Sequence, residues 1–156
     1  MTDFGNSSFI CKGNDLYTNY ASTIGTAVGL SSIGGKTGVA TDGSRAAKSA
    51  AYSIMGALSA ASSRVWNFGE SFYAQFQYLV KFCSLDSGIF ISRKNAQTVI
   101  RICGKNGLPI SINAQNELES IMNNSKFLED KPAFCGEISE MHGVGMMYLR
   151  QLLRQA

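Results

Sequence analysis

The stretch VWNFGESFYAQFQYLVKFC, residues 65–83, is the most apolar part of the sequence and decides which fold it predicts. Two apolar stripes recur along it with helical spacing. The first stripe comprises Val65, Phe68, Phe72, Phe76, Leu79 and Cys83, and the second comprises Trp66, Tyr73 and Val80. A helix that is apolar on two faces is buried on two faces. The pattern therefore predicts either the central helix of the domain or a core helix that also forms a subunit interface.

The segments on either side of this stretch also favour helices. Leu16, Tyr20, Ile24 and Val28 recur every four residues, and residues 46–63 are rich in alanine and serine. The small side chains of this first pair predict a tight helical hairpin, with a loop over 34–43. Weaker helical patterns begin near residues 95, 113 and 137, and no stretch alternates like a strand. The sequence thus predicts an all-α fold, a compact bundle of five or six helices with a central aromatic-rich helix. Residues 1–14 are expected to form an N-terminal arm and residues 15–156 a single helical domain.

Composition favours a protein that associates with other chains. Charged residues are 16% of the 156 residues, below the roughly 25% of an average soluble domain. The four cysteines, Cys11, Cys83, Cys103 and Cys135, are scattered, which favours free thiols in a reducing compartment. The first residues lack a basic region followed by an apolar one, so no cleavable signal peptide is expected. No integral membrane span is expected either. We therefore expect a cytoplasmic protein or part of a large assembly, which leaves non-classical secretion open.

Candidate catalytic groups are few. The segment from Gly29 to Thr37 resembles a phosphate loop, but Leu30 stands where the motif needs a glycine six residues before Lys36. His142 is the only histidine, and it lies seven residues from Cys135, about 10 Å along a continuous helix. That separation exceeds the hydrogen-bond reach of a nucleophile and its base. The sequence accordingly predicts no catalytic residue, no metal site and no cofactor, and a protein that is not an enzyme.

Three surfaces are candidates for association. The stripe of Trp66, Tyr73 and Val80 is expected to contact another copy of the chain. Basic residues on a fourth helix could contact nucleic acid or form a solvated face; they are Arg93, Lys94, Arg101 and Lys105. Methionines of the last helix could bind a partner or fill the core; they are Met141, Met146 and Met147.

The function predicted from these features is that of a non-enzymatic structural subunit. It would self-associate through helical faces in a filament, a coat or a secretion-type assembly, so its expected partner is itself or another protein subunit. One alternative is a partner-binding adaptor or secreted effector. The other is a nucleic-acid-packaging subunit, which would make use of the basic face.

Overall fold

The computed structural model describes residues 3–5, 8–12, 18–124, 134–141 and 144–155. Within these ranges the chain is an α/β protein with seven strands, five α-helices and one short 3-10 turn. In chain order the elements are β1 (Asp3–Gly5), β2 (Ser8–Lys12), α1 (Thr18–Leu30), β3 (Lys36–Thr41), α2 (Arg45–Ala60), β4 (Arg64–Glu70), α3 (Tyr73–Phe82), β5 (Ser87–Lys94), β6 (Gln97–Cys103), the 3-10 turn (Lys105–Gly107), α4 (Ile112–Asn123), β7 (Ile138–Glu140) and α5 (Val144–Gln155).

The strands form one mixed sheet in the order β1-β2-β6-β5-β3-β4-β7. Strand β3 lies between β5 and β4 and is parallel to both. Strand β7 extends the parallel part beyond β4, whereas β6, β2 and β1 are added antiparallel beyond β5. From β3 the chain passes to β4 on one side, then returns across β3 to β5 on the other. The winding of the sheet therefore reverses between β3 and β5.

Helices cover both faces of the sheet, which gives a three-layer sandwich. On one face, side chains of α1, α2 and α4 pack on the sheet; the buried residues there include Ile24, Ile54, Leu58, Leu118, Val39, Ile89 and Ile100. On the other face α3 packs on the sheet through Phe76, Leu79 and Val80, with Phe68 and Phe90. Neighbouring residues of one strand, such as Ile89 and Phe90, belong to opposite cores because side chains alternate along a strand.

Helices α1 and α2 approach each other closely, as their small residues predict. A Cβ atom placed on Gly25 would lie 2.7 Å from the carbonyl oxygen of Ile54, and one on Gly29 would lie 2.6 Å from the Cβ atom of Ala61. The predicted hairpin is nevertheless wrong. Strand β3 occupies the expected loop between the two helices. The chain runs along β3 from one end of the sheet to the other between α1 and α2. The two helices therefore run parallel.

The all-α prediction is wrong at five places, and one physical reason covers two of them. Residues 36–41 and 87–94 form β3 and β5, whose central residues are buried on both faces. Such strands show no alternation of polar and apolar residues. The predicted central helix is divided at residues 71–72 into β4 and α3, and the predicted fourth helix is β6. The last helix begins at Val144, after β7, rather than near Glu137.

Two further expectations concern parts of the chain outside the helices. Residues 3–5 and 8–12, within the expected arm, form β1 and β2 and extend the sheet. The single histidine, His142, lies outside the described residues.

Among the helices that are described, none has the length and apolarity needed to cross a membrane.

Candidate functional site

The strongest candidate site lies where β3 and β5 end. In open α/β sheets, ligands bind beyond the carboxyl ends of the strands, at the point where the winding reverses. There the backbone N–H of Asp42 donates to the carbonyl oxygen of Ile91 at 3.1 Å. The Oδ2 atom of the Asp42 carboxylate accepts the backbone N–H of Arg93 at 2.8 Å. Asp42 thus joins the ends of the two central strands. We call this end of the sheet the switch-point edge, comprising residues 41–48, 70–73 and 91–101.

The same carboxylate organises the start of α2. Its Oδ1 atom accepts the backbone N–H of Ser44 at 2.9 Å and the Ser44 hydroxyl at 2.7 Å. The Ser44 hydroxyl oxygen in turn accepts the backbone N–H of Ala47 and caps the helix. Partial burial raises the pKa of Asp42, but hydrogen bonds from the Arg93 and Ser44 backbones and the Ser44 hydroxyl outweigh it. The pKa of Asp42 therefore lies below its usual value, and the group is ionised at neutral pH.

Between Asp42 and Ser44 the backbone needs a glycine. Gly43 has a φ of +90°, a conformation that side chains with a Cβ atom rarely adopt. A Cβ atom there would also lie 2.5 Å from the carboxyl carbon of Glu70, at the end of β4. The turn therefore brings the ends of three parallel strands together, with the carboxylate of Glu70 against the backbone of Gly43.

The switch-point edge carries more positive than negative charge. Arg45 and Lys48 lie in the first turns of α2, where no acidic residue occurs, and Arg93 and Lys94 end β5. All four side chains are exposed or partly exposed. The three segments that define the edge contain five cations and two carboxylates. The N-terminus of a helix adds its partial positive charge and free N–H groups, so this edge suits an anion such as phosphate.

Arg101 is the fifth of these cations. It lies on β6, and its guanidinium carbon is 4.8 Å from the ring centre of Tyr73, the first residue of α3. Burial raises the pKa of the Tyr73 hydroxyl, as does the Cys103 thiol, while Arg101 acts in the opposite direction. Tyr73 also meets Phe90 edge to face, with ring centres 5.3 Å apart. The contact with the Tyr73 ring holds Arg101 on the α3 side of the sheet.

The predicted basic face does not exist as one surface. Arg93 and Lys94 end β5 at the switch-point edge, and Arg101, at the same edge, lies on the α3 side of the sheet. Lys105 lies at the opposite edge, with its ammonium nitrogen 3.9 Å from the Asp86 carboxylate. The reason is that this segment is a β-hairpin, turned at Asn95 and Ala96, and not a helix. Contact with nucleic acid by these residues stays a prediction.

The predicted association surfaces are also divided. Trp66 lies on β4 and is half-buried, Tyr73 begins α3, and Val80 is fully buried in the core. These three side chains therefore cannot form the single exposed face that a continuous helix would give. Met141 and Met147 pack against the α3 core, whereas Met146 is exposed on α5. Self-association and partner binding at these residues stay predictions.

A cavity of about 310 Å³ lies at the opposite edge of the sheet, before β3 and β5 begin. Its lining includes Ser32, Ile33, Asp86, Lys105, Pro109 and Ile110. The Asp86 carboxylate already accepts the backbone N–H of Lys36 at 3.0 Å and pairs with Lys105. The backbone N–H and the hydroxyl of Ser32 both donate to Glu117. With its charged groups paired in this way, the cavity is less suited to an anion than the switch-point edge.

Neither thiol nor metal chemistry has an assembled centre in the part of the chain described. Burial raises the pKa of Cys103 to about 12, and it also raises that of Cys83. Both thiols are therefore weak nucleophiles at neutral pH. The described ranges bring together no group of three or more histidine, cysteine, aspartate or glutamate side chains that could hold a metal ion.

From the sequence alone, Asp42 or Ser44 is expected to cap the alanine-rich helix that follows, and no further role is predicted for either residue. The signal for more was present. The apolar residues Val39 and Ala40 are followed by Thr41, an Asp-Gly turn and a capped helix, which is the pattern of a strand, a turn and a helix. The pairing of Asp42 with Arg93 could not be found in this way, because the two residues are 51 positions apart.

Comparisons with known proteins bear on the fold. No family model and no curated protein matches the sequence. Solved structures do match the fold. One is a phosphoglucomutase/phosphomannomutase family protein from Burkholderia thailandensis, with a TM-score of 0.78 and 18% identity over 96% of this chain. Another is a putative phosphomannomutase from Thermus thermophilus, with a TM-score of 0.76 and 16% identity over 99% of this chain. The chain has the fold of part of these proteins.

The match covers 35% and 36% of the two solved chains, so this chain spans about a third of their length. The prediction of a non-enzymatic assembly subunit built on helical faces is wrong. It rested on a helical bundle, and the chain instead has an α/β fold that it shares with members of an enzyme family. At this level of identity the likeness establishes the fold, and the activity is a separate question.

Proposed function

We propose that the chain is a domain of a phosphotransferase-type enzyme and that its switch-point edge binds the phosphate group of a phosphorylated hexose. The observation that carries this proposal is the set of cations around the N-terminus of α2, at the reversal point of the winding. The names of the two structural neighbours, a phosphoglucomutase/phosphomannomutase family protein and a putative phosphomannomutase, supply the substrate class.

Each part of the edge has a distinct role in this proposal. Arg93 and Lys94 donate charge-assisted hydrogen bonds to the phosphate oxygens, and the first turn of α2 contributes its partial positive charge. Asp42 is a positioning residue: being ionised, it accepts the backbone N–H of Arg93 and holds the end of β5 beside α2. Its negative charge is screened from a bound phosphate by the three donors it already accepts.

The proposed role is substrate binding and does not assign a bond-breaking step to any residue of the edge. The thiols of Cys83, Cys103 and Cys135 are free. Free thiols fit a reducing compartment. We therefore place the proposed activity in the cytoplasm.

The test is calorimetric titration of the full chain with glucose 1-phosphate and with mannose 1-phosphate at low ionic strength, with unphosphorylated mannose as the ligand control. We expect binding of both phosphates and none of mannose. The double substitution Arg93→Ala/Lys94→Ala should weaken binding about 10- to 100-fold, as expected for losing hydrogen bonds to a charged group.

Lys105→Ala is the matched control, because it removes an exposed cation at the opposite edge of the sheet. It should leave the dissociation constant unchanged. A wild-type chain that binds neither sugar phosphate, or a double variant that binds them as tightly as the wild type, would contradict the proposal.

A further inference from the structure

Helix α5 has four large apolar side chains on its outer side. It meets α3 through Tyr148, whose ring centre is 5.5 Å from that of Tyr78, and through Met147 and Gln151, which line the groove between the two helices. On the side of α5 that faces away from α3, four large apolar side chains are 46–76% exposed: Met146, Leu149, Leu152 and Leu153. At 100° per residue these four occupy an arc of roughly 120°. A helix whose interior side includes a glutamine while four apolar side chains face solvent has a second surface to cover.

The charges next to this apolar arc all have one sign. Arg150 and Arg154 border the arc and line a groove of about 190 Å³ with Tyr78 and Phe82 of α3. Phe82, exposed at the end of α3, belongs to the same surface. Neither α3 nor α5 contains a carboxylate. We call this surface, made of Phe82, Met146, Leu149, Arg150, Leu152, Leu153 and Arg154, the α5 face.

The nearest described carboxylate before α5 does not neutralise the α5 face. Glu140, on β7, accepts a hydrogen bond from the side-chain amide of Asn67 at 2.8 Å. That contact holds it toward β4. The α5 face therefore suits an occupant that combines apolar groups with negative charge.

A second copy of the chain fits these requirements poorly. If two α5 helices paired antiparallel about a two-fold axis, the flank with Arg150 and Arg154 would meet the same flank of its partner. Because α3 and α5 carry no carboxylate, those arginines would face like charges. An anionic lipid surface provides both the negative charge and the apolar groups, because its phosphates can bind the arginines and its acyl chains can contact the leucines.

We propose that the α5 face docks this protein on an anionic membrane surface, with α5 lying in the plane of the interface. The leucines and Met146 enter the boundary between headgroups and acyl chains. Arg150 and Arg154 bind lipid phosphates beside the Tyr78–Phe82 groove. This proposal does not depend on the sugar-phosphate site, because α5 and the switch-point edge share no residue.

The experiment is sedimentation of the full chain with vesicles of phosphatidylcholine and with vesicles that also contain phosphatidylserine. We expect the chain to sediment with the phosphatidylserine vesicles and to be released at high salt, because screening weakens binding to the charged surface. Arg150→Gln/Arg154→Gln and Leu149→Ser/Leu153→Ser should each lower the partition coefficient about tenfold or more.

Ile112→Ser is the matched control. Ile112 is an exposed apolar residue, 77% accessible, at the start of α4 on the other face of the sheet. Its substitution should leave vesicle binding unchanged, and circular dichroism should verify that every variant keeps its helices. Failure of the wild type to sediment with phosphatidylserine vesicles would overturn the proposal, as would unchanged binding by either double variant. A wild-type dimer in light scattering that Leu149→Ser/Leu153→Ser dissociates would assign the face to a second copy instead.

Discussion

The Oδ2 atom of Asp42 accepts the backbone N–H of Arg93 at 2.8 Å, and this bond joins the ends of β3 and β5 at the reversal point of the sheet. One carboxylate thus fixes both the start of α2, through Ser44, and the position of the arginine proposed to bind phosphate. Substitutions at this carboxylate should therefore affect stability and phosphate binding together.

Asp42→Asn should reduce the amount of stability that the protein loses between neutral and acid pH. The pKa of Asp42 is lowered in the folded state, so its stabilising effect is complete above the pKa of the unfolded chain, about 3.9. That effect is lost as the pH falls through the lower folded pKa. Urea unfolding at pH 7 and in the range of pH 2 to 4 should show a smaller difference for the variant than for the wild type. Equal pH dependence of the two proteins would contradict the assignment.

Ser44→Ala should destabilise the protein by more than a simple cap does. Loss of an N-cap hydroxyl costs about 1 kcal/mol in the free energy of unfolding. Ser111→Ala is the control, because the Ser111 hydroxyl caps α4 by accepting the backbone N–H of Ala114 at 3.1 Å. The Ser44 hydroxyl also donates to Asp42, so its removal should cost the larger amount. Thermal unfolding of the two variants side by side provides the measurement.

Two glycine substitutions should have opposite effects on stability. Gly25→Ala places a Cβ atom 2.7 Å from the carbonyl oxygen of Ile54, so α1 and α2 must separate, at a cost of about 1–3 kcal/mol. Gly56 lies within α2, and apart from its chain neighbours and the backbone of its own helix no atom is within 4 Å of the added group. Gly56→Ala should therefore stabilise the protein by roughly 0.5–1 kcal/mol, because alanine loses less conformational entropy in a helix. Chemical denaturation of both variants tests the helix pairing.

The cysteines should differ in their reaction with a thiol reagent at pH 8. Cys135 is exposed, whereas Cys103 is buried and has its pKa raised to about 12. Peptide mapping after brief labelling should find the label on Cys135 and none on Cys103. Cys103 should be labelled only after unfolding, and rapid labelling of the native protein there would contradict the packing of β6 against α3.

The sequence predicts the helices better than the strands, for reasons visible in particular residues. The periodic residues Tyr20, Ile24 and Val28 correctly indicate α1, and Ser44, one of the two expected caps, marks the start of α2. Strand β3 is missed because Thr37–Thr41 are all buried. A strand between two helical layers shows no alternation of polar and apolar residues. The segment 65–83 misleads because short apolar runs fit helix and strand alike.

The candidate site was accessible to sequence reasoning only in part. Arg93 and Lys94 stand out as basic residues, but their interpretation as part of a helix placed Lys105 beside them. In the sheet, Lys94 pairs with Gln97 and Lys105 lies past the far end of β6. Which charges share a surface depends on the order and direction of the strands, and local patterns do not contain that information.

The position of β3 inside the sheet, between β4 and β5, governs how the chain must fold. Its partner strand β5 is distant in sequence: Thr37 and Ser87, which face each other in the register and share a hydrogen bond, are 50 residues apart. Closing so long a loop is entropically costly and slows folding. During synthesis β3 can pair with β4 at an early stage, but its other side stays open until residues beyond 90 have left the ribosome. Until then that side is a free strand edge able to pair with another nascent chain, so the rate of aggregation during refolding should depend on how soon β5 arrives.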